Sequence, residues 1–280
     1  MSISARGANL GLAPISKSLV KEKFGAAAAD YAASAVHAKG PSLARVVELA
    51  VPQPHWRVLD VATGAGHTAA AFAPYVSQVI ASDITAEMLQ EAQKVAAGKG
   101  LANVDTKHAD AGALPFPDAS FDLVTCRLAA HHFPDVAAFV SEVWRVLVSG
   151  GTFALVDNIS PDAKILPGVS ETELRGVAAI YNVFEKLRDP SHGRCLTWSE
   201  WLKLMEKCDF AIARHEHMDQ EVPFDAWTAR MRCDKATVDR LRAALQDQPL
   251  KGFLRPHTGE NGFAFTLQEA IVLARKPVQE

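Results

Sequence analysis

Cysteine is scarce and scattered: Cys126, Cys195, Cys208 and Cys233 are the four in 280 residues, and no two form a C-x-x-C pair. Neither a zinc knuckle nor a disulfide framework is suggested, and a reducing, cytoplasmic setting is the expectation. Long apolar runs are missing too. None approaches the ~18 residues of a bilayer-spanning helix, and the first twenty residues lack the short apolar block of a secretory signal. Those residues also lack an acid; Ser2, Ser4, Arg6, Ser16 and Lys17 give them a weak transit-peptide character, the alternative to a cytoplasmic address. Charge of one sign is absent as well. The 29 basic and 32 acidic residues leave a net charge of -3, with no dense Lys/Arg cluster to neutralise a phosphate backbone, so nucleic acid is not the expected partner. A hydrophobic share of 49% against 22% charged residues rules against disorder and supplies ample core for one large α/β domain or a domain with a modest cap.

What is present is an alternation of short apolar runs with helical periodicities between Trp56 and Asn158, the pattern of a parallel sheet covered by helices. Five βα steps are read. Strand one is Trp56 to Val61, followed by a glycine turn and an apolar helix from Ala69 to Ala73; strand two is Gln78 to Asp83. Thr85 is positioned to cap a helix carrying Leu89, Ala92 and Ala96 on one face, which Gly98 and Gly100 terminate. Strand three lies near Val104 to Lys107 and strand four at Phe121 to Cys126. Asp135 then opens a helix that the Gly150-Gly151 pair is expected to end, before strand five at Thr152 to Val156. Beyond it the pattern is less regular, with helical stretches near Glu171 to Leu187, Trp198 to Lys207 and Thr237 to Leu245, and strand-like ones near Phe210 to His217 and Phe263 to Ala274. Leu43, Val46, Val47 and Ala50 mark a helix before the first strand.

In an open α/β sheet ligands bind beyond the carboxyl ends of the strands, and here the first three ends carry an acid. Strand one runs into Asp60-Val61-Ala62-Thr63-Gly64-Ala65-Gly66-His67, whose glycines permit a tight turn and close approach of a ligand, with a helix N-terminus following. Asp83 stands nineteen residues after Gly64, the distance of a carboxylate that accepts from two ribose hydroxyls. Asp110-Ala111 places a carboxylate where it can accept from an exocyclic amine such as that of adenine. Gly64-x-Gly66-x-x-Ala69 also satisfies the dinucleotide fingerprint, so a nicotinamide enzyme stays open on the turn alone; the three acids and the lack of a second mononucleotide-binding half favour a nucleoside carrying an amino acid.

Val58-Leu59-Asp60-Val61-Ala62-Thr63-Gly64-Ala65-Gly66 resembles the first motif of class I S-adenosylmethionine methyltransferases. Asp83-Ile84, Asp110-Ala111 with Leu114-Pro115-Phe116-Pro117, Phe121 to Arg127 with His131-His132-Phe133, and Arg145-Val146-Leu147 with Gly150-Gly151 resemble the later motifs of the branch that includes ubiquinone and menaquinone C-methyltransferases. Val148-Ser149 departs from the Lys-Pro usual there. The resemblance implies a Rossmann-like α/β fold: a seven-stranded, mostly parallel sheet with helices on both faces and a helical cap. It is divided as a helical lid at 1–51, an S-adenosylmethionine-binding core at 52–160, and cap helices with the last two strands at 161–280. The implied activity is methyl transfer to a small organic acceptor, with a homodimer left open; the alternatives are an NAD(P)-dependent oxidoreductase and a cofactor-binding protein that does not methylate.

The cofactor residues are then Asp60, Thr63, Gly64, Gly66, Asp83, Ile84, Met88, Asp110, Ala111 and Arg127. Asp60 either touches the ligand or braces the loop, Asp110 can be a helix cap, Met88 can be plain core, and the Arg127 side chain can pair with Asp157 or a solvent-facing acid. His132, His131 and Tyr31 are the candidate general bases for an acceptor that must lose a proton, His132 preferred. Two adjacent histidines with Asp157 lack a recognisable third ligand, so no metal is expected. Phe24 and His37 also resemble lid residues of that branch, Arg188-Asp189-Pro190-Ser191-His192 resembles a segment of uncharacterised bacterial members, and Tyr181, Phe184, Trp198, Trp201 and Trp227 line a substrate pocket or belong to the core.

Overall fold

The computed structural model describes residues 15–259 and 262–278, so Ser2, Ser4 and Arg6 of the acid-free start lie outside the described residues. The five strands read from the sequence are present: β1 (Arg57–Val61), β2 (Gln78–Asp83), β3 (Val104–His108), β4 (Phe121–Arg127) and β5 (Leu147–Asn158). They run parallel in the order β3-β2-β1-β4-β5. β6 (Ala211–Pro223) and β8 (Gly262–Arg275) extend the sheet as β5-β8-β6, with β8 antiparallel to both neighbours. A three-residue strand, β7 (His257–Gly259), pairs with β8 and makes the sheet eight-stranded instead of seven.

Successive residues of the central strands are buried on opposite faces. Leu59, Val124 and Phe153 join one apolar cluster and Val58, Leu123 and Ala154 another, which is why these strands read as unbroken apolar runs. α3 (Pro41–Ala50) and α4 (His67–Phe72) cover one face through Val46, Leu49 and Phe72. α6 (Val136–Val146) and α8 (Trp198–Lys207) cover the other through Phe139, Val143, Trp201 and Met205. α5 (Ala86–Gly98) follows β2, and α1 (Lys17–Ala32) lies against it, with Ala27, Ala28 and Tyr31 packed on Met88. α2 (Ala35–Lys39) joins α1 to α3. A third cluster holds α7 (Glu171–Arg188), α9 (Phe224–Arg230), α10 (Lys235–Ala244) and α11 (Leu250–Leu254) over the far end of the sheet, centred on Tyr181, Phe184, Trp227 and Phe253.

Two local expectations are corrected. Gly150-Gly151 does not end α6, which stops at Val146; the pair lies inside β5, where the β4 register jumps from Phe121↔Leu147 to Leu123↔Thr152. There Gly150 adopts φ +80° and the Gly150 amide donates to the Lys276 carbonyl, while a Cβ at Gly151 would stand 2.9 Å from the Val148 carbonyl oxygen. Thr85 occupies the start of α5 without a side-chain cap; its amide instead donates to Asp83 Oδ1 at 2.8 Å.

The turn after β1 depends most on Gly66. Its φ is +81°, and a Cβ there would lie 2.8 Å from Ala92 Cβ and 2.9 Å from Ala92 Cα in α5. Gly66→Ala is expected to cost about 2–4 kcal/mol, left-handed strain added to overpacking. Gly64, at φ +54° with nothing within 4 Å of an added Cβ, bears only the backbone strain, about 1–2 kcal/mol. Thermal melts of the two alanine variants check the order; equal losses would sink the packing account.

Candidate functional site

A cavity opens at the carboxyl ends of β1, β2 and β4, where the strand order reverses between β1 and β4, and α1 roofs it. Thr63, Gly64, Asp83, Ile84, Met88, Asp110, Ala111, Arg127, Tyr31 and His132, all expected from the sequence, line it. Asp60, Gly66 and His131 do not. Asp60 is 1% exposed and spends its oxygens internally, accepting from Thr63 Oγ1 at 2.5 Å, Thr125 Oγ1 at 2.6 Å and the Ala69 amide at 3.1 Å. Burial pushes its carboxyl up to about 6, against the pull of those three bonds. It is the brace of the turn, joining β1, β4 and the first turn of α4, and Gly66 is the packing point described above.

Asp83 closes the other side of the turn. Oδ2 accepts from the Gly64 amide at 2.9 Å and Oδ1 from the Thr85 amide, so the carboxylate is fixed in orientation while its remaining lone pairs are free for a ligand. Burial raises its pKa and these amide bonds oppose the rise. Asp110 Oδ1 accepts from the Gly112 amide at 3.0 Å, and Lys17 of α1 reaches across to Asp110 Oδ2. Partial burial would raise the Asp110 carboxyl, but the Lys17 ammonium and the Gly112 amide hold it below the ordinary value. The apolar Ile84, Met88 and Ala111 line the cavity with the two acids. Met88 is both core and wall, 2% exposed beneath α1. Two acceptor carboxylates with an apolar surface are the set that a nucleoside needs: acceptors for ribose hydroxyls, an acceptor for an exocyclic amine, and a surface for the base. The cavity therefore fits the adenosyl part of S-adenosylmethionine.

Arg127 ends β4 and points back under α2 and α3. Nε donates to Ser42 Oγ at 3.2 Å and Nη1 to the His37 carbonyl at 3.1 Å, whereas Asp157, one of the partners open to it on sequence grounds, is held by His131. Asp157 Oδ1 lies 2.6 Å from His131 Nδ1, and Oδ2 accepts the His131 amide at 3.0 Å. Burial disfavours a charged His131, yet the Asp157 carboxylate outweighs it and holds the imidazole above its ordinary pKa. A ring locked to a buried acid in this way is a structural ion pair. Asp157→Asn is expected to cost roughly 3 kcal/mol or more, because it breaks a buried pair, a fall in Tm on the order of 10 °C; a melt within 2 °C of the parent, an arbitrary small margin of about 0.5–1 kcal/mol, would contradict this.

His132 is the opposite case. Nδ1 faces the Ser191 carbonyl oxygen at 3.1 Å; because that oxygen only accepts, Nδ1 carries the proton and Nε2 keeps its lone pair. Burial, followed by the charge of His131, pushes its pKa down to about 4. Asp189 Oδ2 lies 3.8 Å from Nε2. Tyr31, raised by burial, stays a phenol whose hydroxyl donates to Met231 Sδ at 3.5 Å.

Tyr31, His132, Phe24, His37 and Leu128 also form one wall of a second, inner chamber, completed by His131, α7, α9, the ends of β5 and β6 and the middle of β8. Its polar residues Glu185, Arg188, Gln220, Arg230 and Glu269 carry no local sequence signal of a site beyond the resemblance of the Arg188–His192 segment. Trp227 lines this chamber, whereas Tyr181, Phe184, Trp198 and Trp201 are core.

A methyltransferase domain model matches residues 59–155. The uncharacterized methyltransferase YcgJ of Bacillus subtilis is 40% identical over 195 residues, spanning 70% of this chain and 73% of YcgJ. A solved structure from Bacillus halodurans C-125, described as a candidate methyltransferase, has a TM-score of 0.76 at 35% identity and covers 85% of this chain and 100% of its own. The demethylmenaquinone methyltransferase of Deinococcus radiodurans is 40% identical over 116 residues, 40% of this chain and 47% of that one. These matches give the nicotinamide alternative no support. With the glycine turn, the two cavity acids and a relative matched over most of its length, the chain belongs to the S-adenosylmethionine-dependent methyltransferases.

Proposed function

We propose that the protein methylates a small organic molecule seated in the inner chamber, with His132 as the base that takes a proton from it. The observation that carries this reading is the shared wall: His132 and Tyr31 belong to both cavities, so a group on the inner side meets the cofactor side past these two rings. S-adenosylmethionine, when bound, supplies an electrophilic methyl group on a sulfonium. Asp83 accepts from the ribose hydroxyls, Asp110 from the adenine amine, and Ile84, Met88 and Ala111 pack on the nucleoside. Thr63 and Gly64 hold the turn beside it, and the backbone at Arg127 faces its amino-acid end. The 1–51 segment acts as a lid through α1, the 52–160 core binds the cofactor, and 161–280 provides the floor of the acceptor chamber.

Holding two reactants in register is worth roughly 7–11 kcal/mol of barrier, so positioning by these walls is the main contribution. His132 Nε2 receives the acceptor's proton, and Asp189 at 3.8 Å stabilises the imidazolium as it forms.

The test supplies S-adenosylmethionine with pools of phenols, amines, thiols and quinols, with transfer RNA and with denatured protein, and follows S-adenosylhomocysteine. Formation confined to small-molecule pools is the expected result. Turnover on RNA or protein alone would overturn the assignment, and tight cofactor binding without turnover on any pool would favour a protein that binds the cofactor without methylating.

A further inference from the structure

The inner chamber is walled by charge that the fold itself leaves unsatisfied. Glu185 is 4% exposed, Arg188 9% and Glu269 1%, and each has a buried atom without a hydrogen-bond partner: Glu185 Oε1, Arg188 Nε and Glu269 Oε2. Gln220 Oε1 is a fourth. Native structures satisfy nearly all buried polar atoms, so several orphans around one chamber mark a place where a ligand completes the bonding.

The sign of that ligand follows from the two guanidiniums. Arg188 is held by the Trp227 ring at 4.6 Å and by the Trp227 carbonyl at 3.3 Å, and its nearest acid is Glu185 at 3.9 Å from Nε, beyond hydrogen-bond reach. Arg230 meets no carboxylate within 4 Å among the described residues; its contacts are the Tyr31 ring at 5.5 Å and His37 Nδ1 at 3.5 Å, a weak partner for a permanent cation. Of the acids nearby, Asp157 is paired with His131 and Glu269 faces Arg127, with burial raising the carboxyl pKa of Glu185 and of Glu269; Asp189, held by the Ser191 amide and hydroxyl, keeps its charge on the His132 side. Arg230 is thus a half-buried cation beneath Tyr31 without an acid of its own within 4 Å among the described residues.

We infer that the methyl acceptor carries an anionic oxygen group, a carboxylate or a phosphate, which Arg230 and Arg188 bind on the inner side of Tyr31. This rests on the small-molecule methyltransferase reading above and narrows it to an acceptor with an anionic end. Glu185 Oε1 and Gln220 Oε1, both without a partner, accept from donor groups on the rest of the acceptor.

The test uses protein saturated with S-adenosylhomocysteine and titrates it, by ligand-observed NMR, with acetate beside acetamide, benzoate beside benzamide, and inorganic phosphate. At least one carboxylate is expected to bind about tenfold or more tighter than its amide, or phosphate in its place, since a charge-assisted pair of bonds separates charged from neutral isosteres. Phosphate binding without carboxylate binding assigns the anion as a phosphate. In Arg230→Gln the anion preference is expected to vanish with affinity for S-adenosylhomocysteine unchanged, and Arg230→Lys restores part of it. Equal binding of acid and amide, binding of no anion at all, or a preference that survives Arg230→Gln overturns the inference. Failure to bind S-adenosylhomocysteine is a different outcome, which strikes at the methyltransferase reading itself.

Discussion

Asp83→Ala is expected to weaken S-adenosylhomocysteine binding by roughly 100- to 1000-fold, measured by calorimetric titration of folded protein. Two hydrogen bonds from ribose hydroxyls to a buried, oriented carboxylate contribute about 1.5–3 kcal/mol each, and each 1.4 kcal/mol is tenfold. The orientation is what makes the full effect available: the Gly64 and Thr85 amides fix the two oxygens at 2.9 Å and 2.8 Å before any ligand arrives. Alanine also deprives those amides of their acceptor, so the unliganded protein is expected to melt a few degrees lower, on the order of 1–2 kcal/mol. Asp83→Asn belongs between alanine and the parent, because its amide nitrogen would face one backbone N–H as a donor against a donor. Binding within threefold of the parent, below about 0.7 kcal/mol, would remove Asp83 from the cofactor site.

The strands and the cofactor turn were readable because their signals are local. Apolar runs of strand length, a glycine turn and acids at strand ends all lie within about a hundred residues, and each depends on spacing along one stretch of chain. Roles within that turn were less accessible. Asp60 and Asp83 are alike in sequence, both acids at strand ends, and only the placement of Thr63, Thr125 and Ala69 around Asp60 turns it inward as a brace. Gly150-Gly151 misled for a related reason: a glycine pair after an amphipathic stripe reads as a helix end, and nothing local shows that the Asp122 and Val148 carbonyls crowd Gly151 within a strand.

The inner chamber was the least legible part. Glu185 and Arg188 sit on α7 among Glu171, Glu173 and Lys186, where charges at helical spacing read as a solvated face. They are buried because α9 and β6, remote in sequence, close over them with Trp227 and Val222. The Arg188-Asp189-Pro190-Ser191-His192 segment did stand out by resemblance, and its use is now physical: Arg188 walls the chamber, and the Ser191 carbonyl sets the tautomer of His132.

That tautomer yields the other large expected effect. His132→Gln should lower kcat by about 10²–10³-fold, the scale of a positioned general base, with the KM for S-adenosylmethionine within threefold of the parent. Glutamine keeps a side chain able to bond the Ser191 carbonyl but offers no basic nitrogen, so a loss confined to kcat separates proton transfer from packing. The pH profile gives the sign. Because the folded pKa is depressed from 6.5 to about 4, Nε2 is already unprotonated at pH 6, and kcat/KM is expected to stay level from pH 8 to about 6 and to fall only as pH approaches 4. Stability must be separated from this limb. A histidine depressed in the folded state lets the unfolded chain bind the proton first, so its linkage destabilises the fold as pH drops from 6.5 towards 4, and preincubation at each pH followed by assay at pH 7 isolates irreversible loss. An acid limb with its midpoint near the unperturbed 6.5 would show that the His132 ring is not the buried, neutral group described; unchanged kcat in the glutamine variant would mean that its acceptor needs no base, as a thioether or tertiary amine would not.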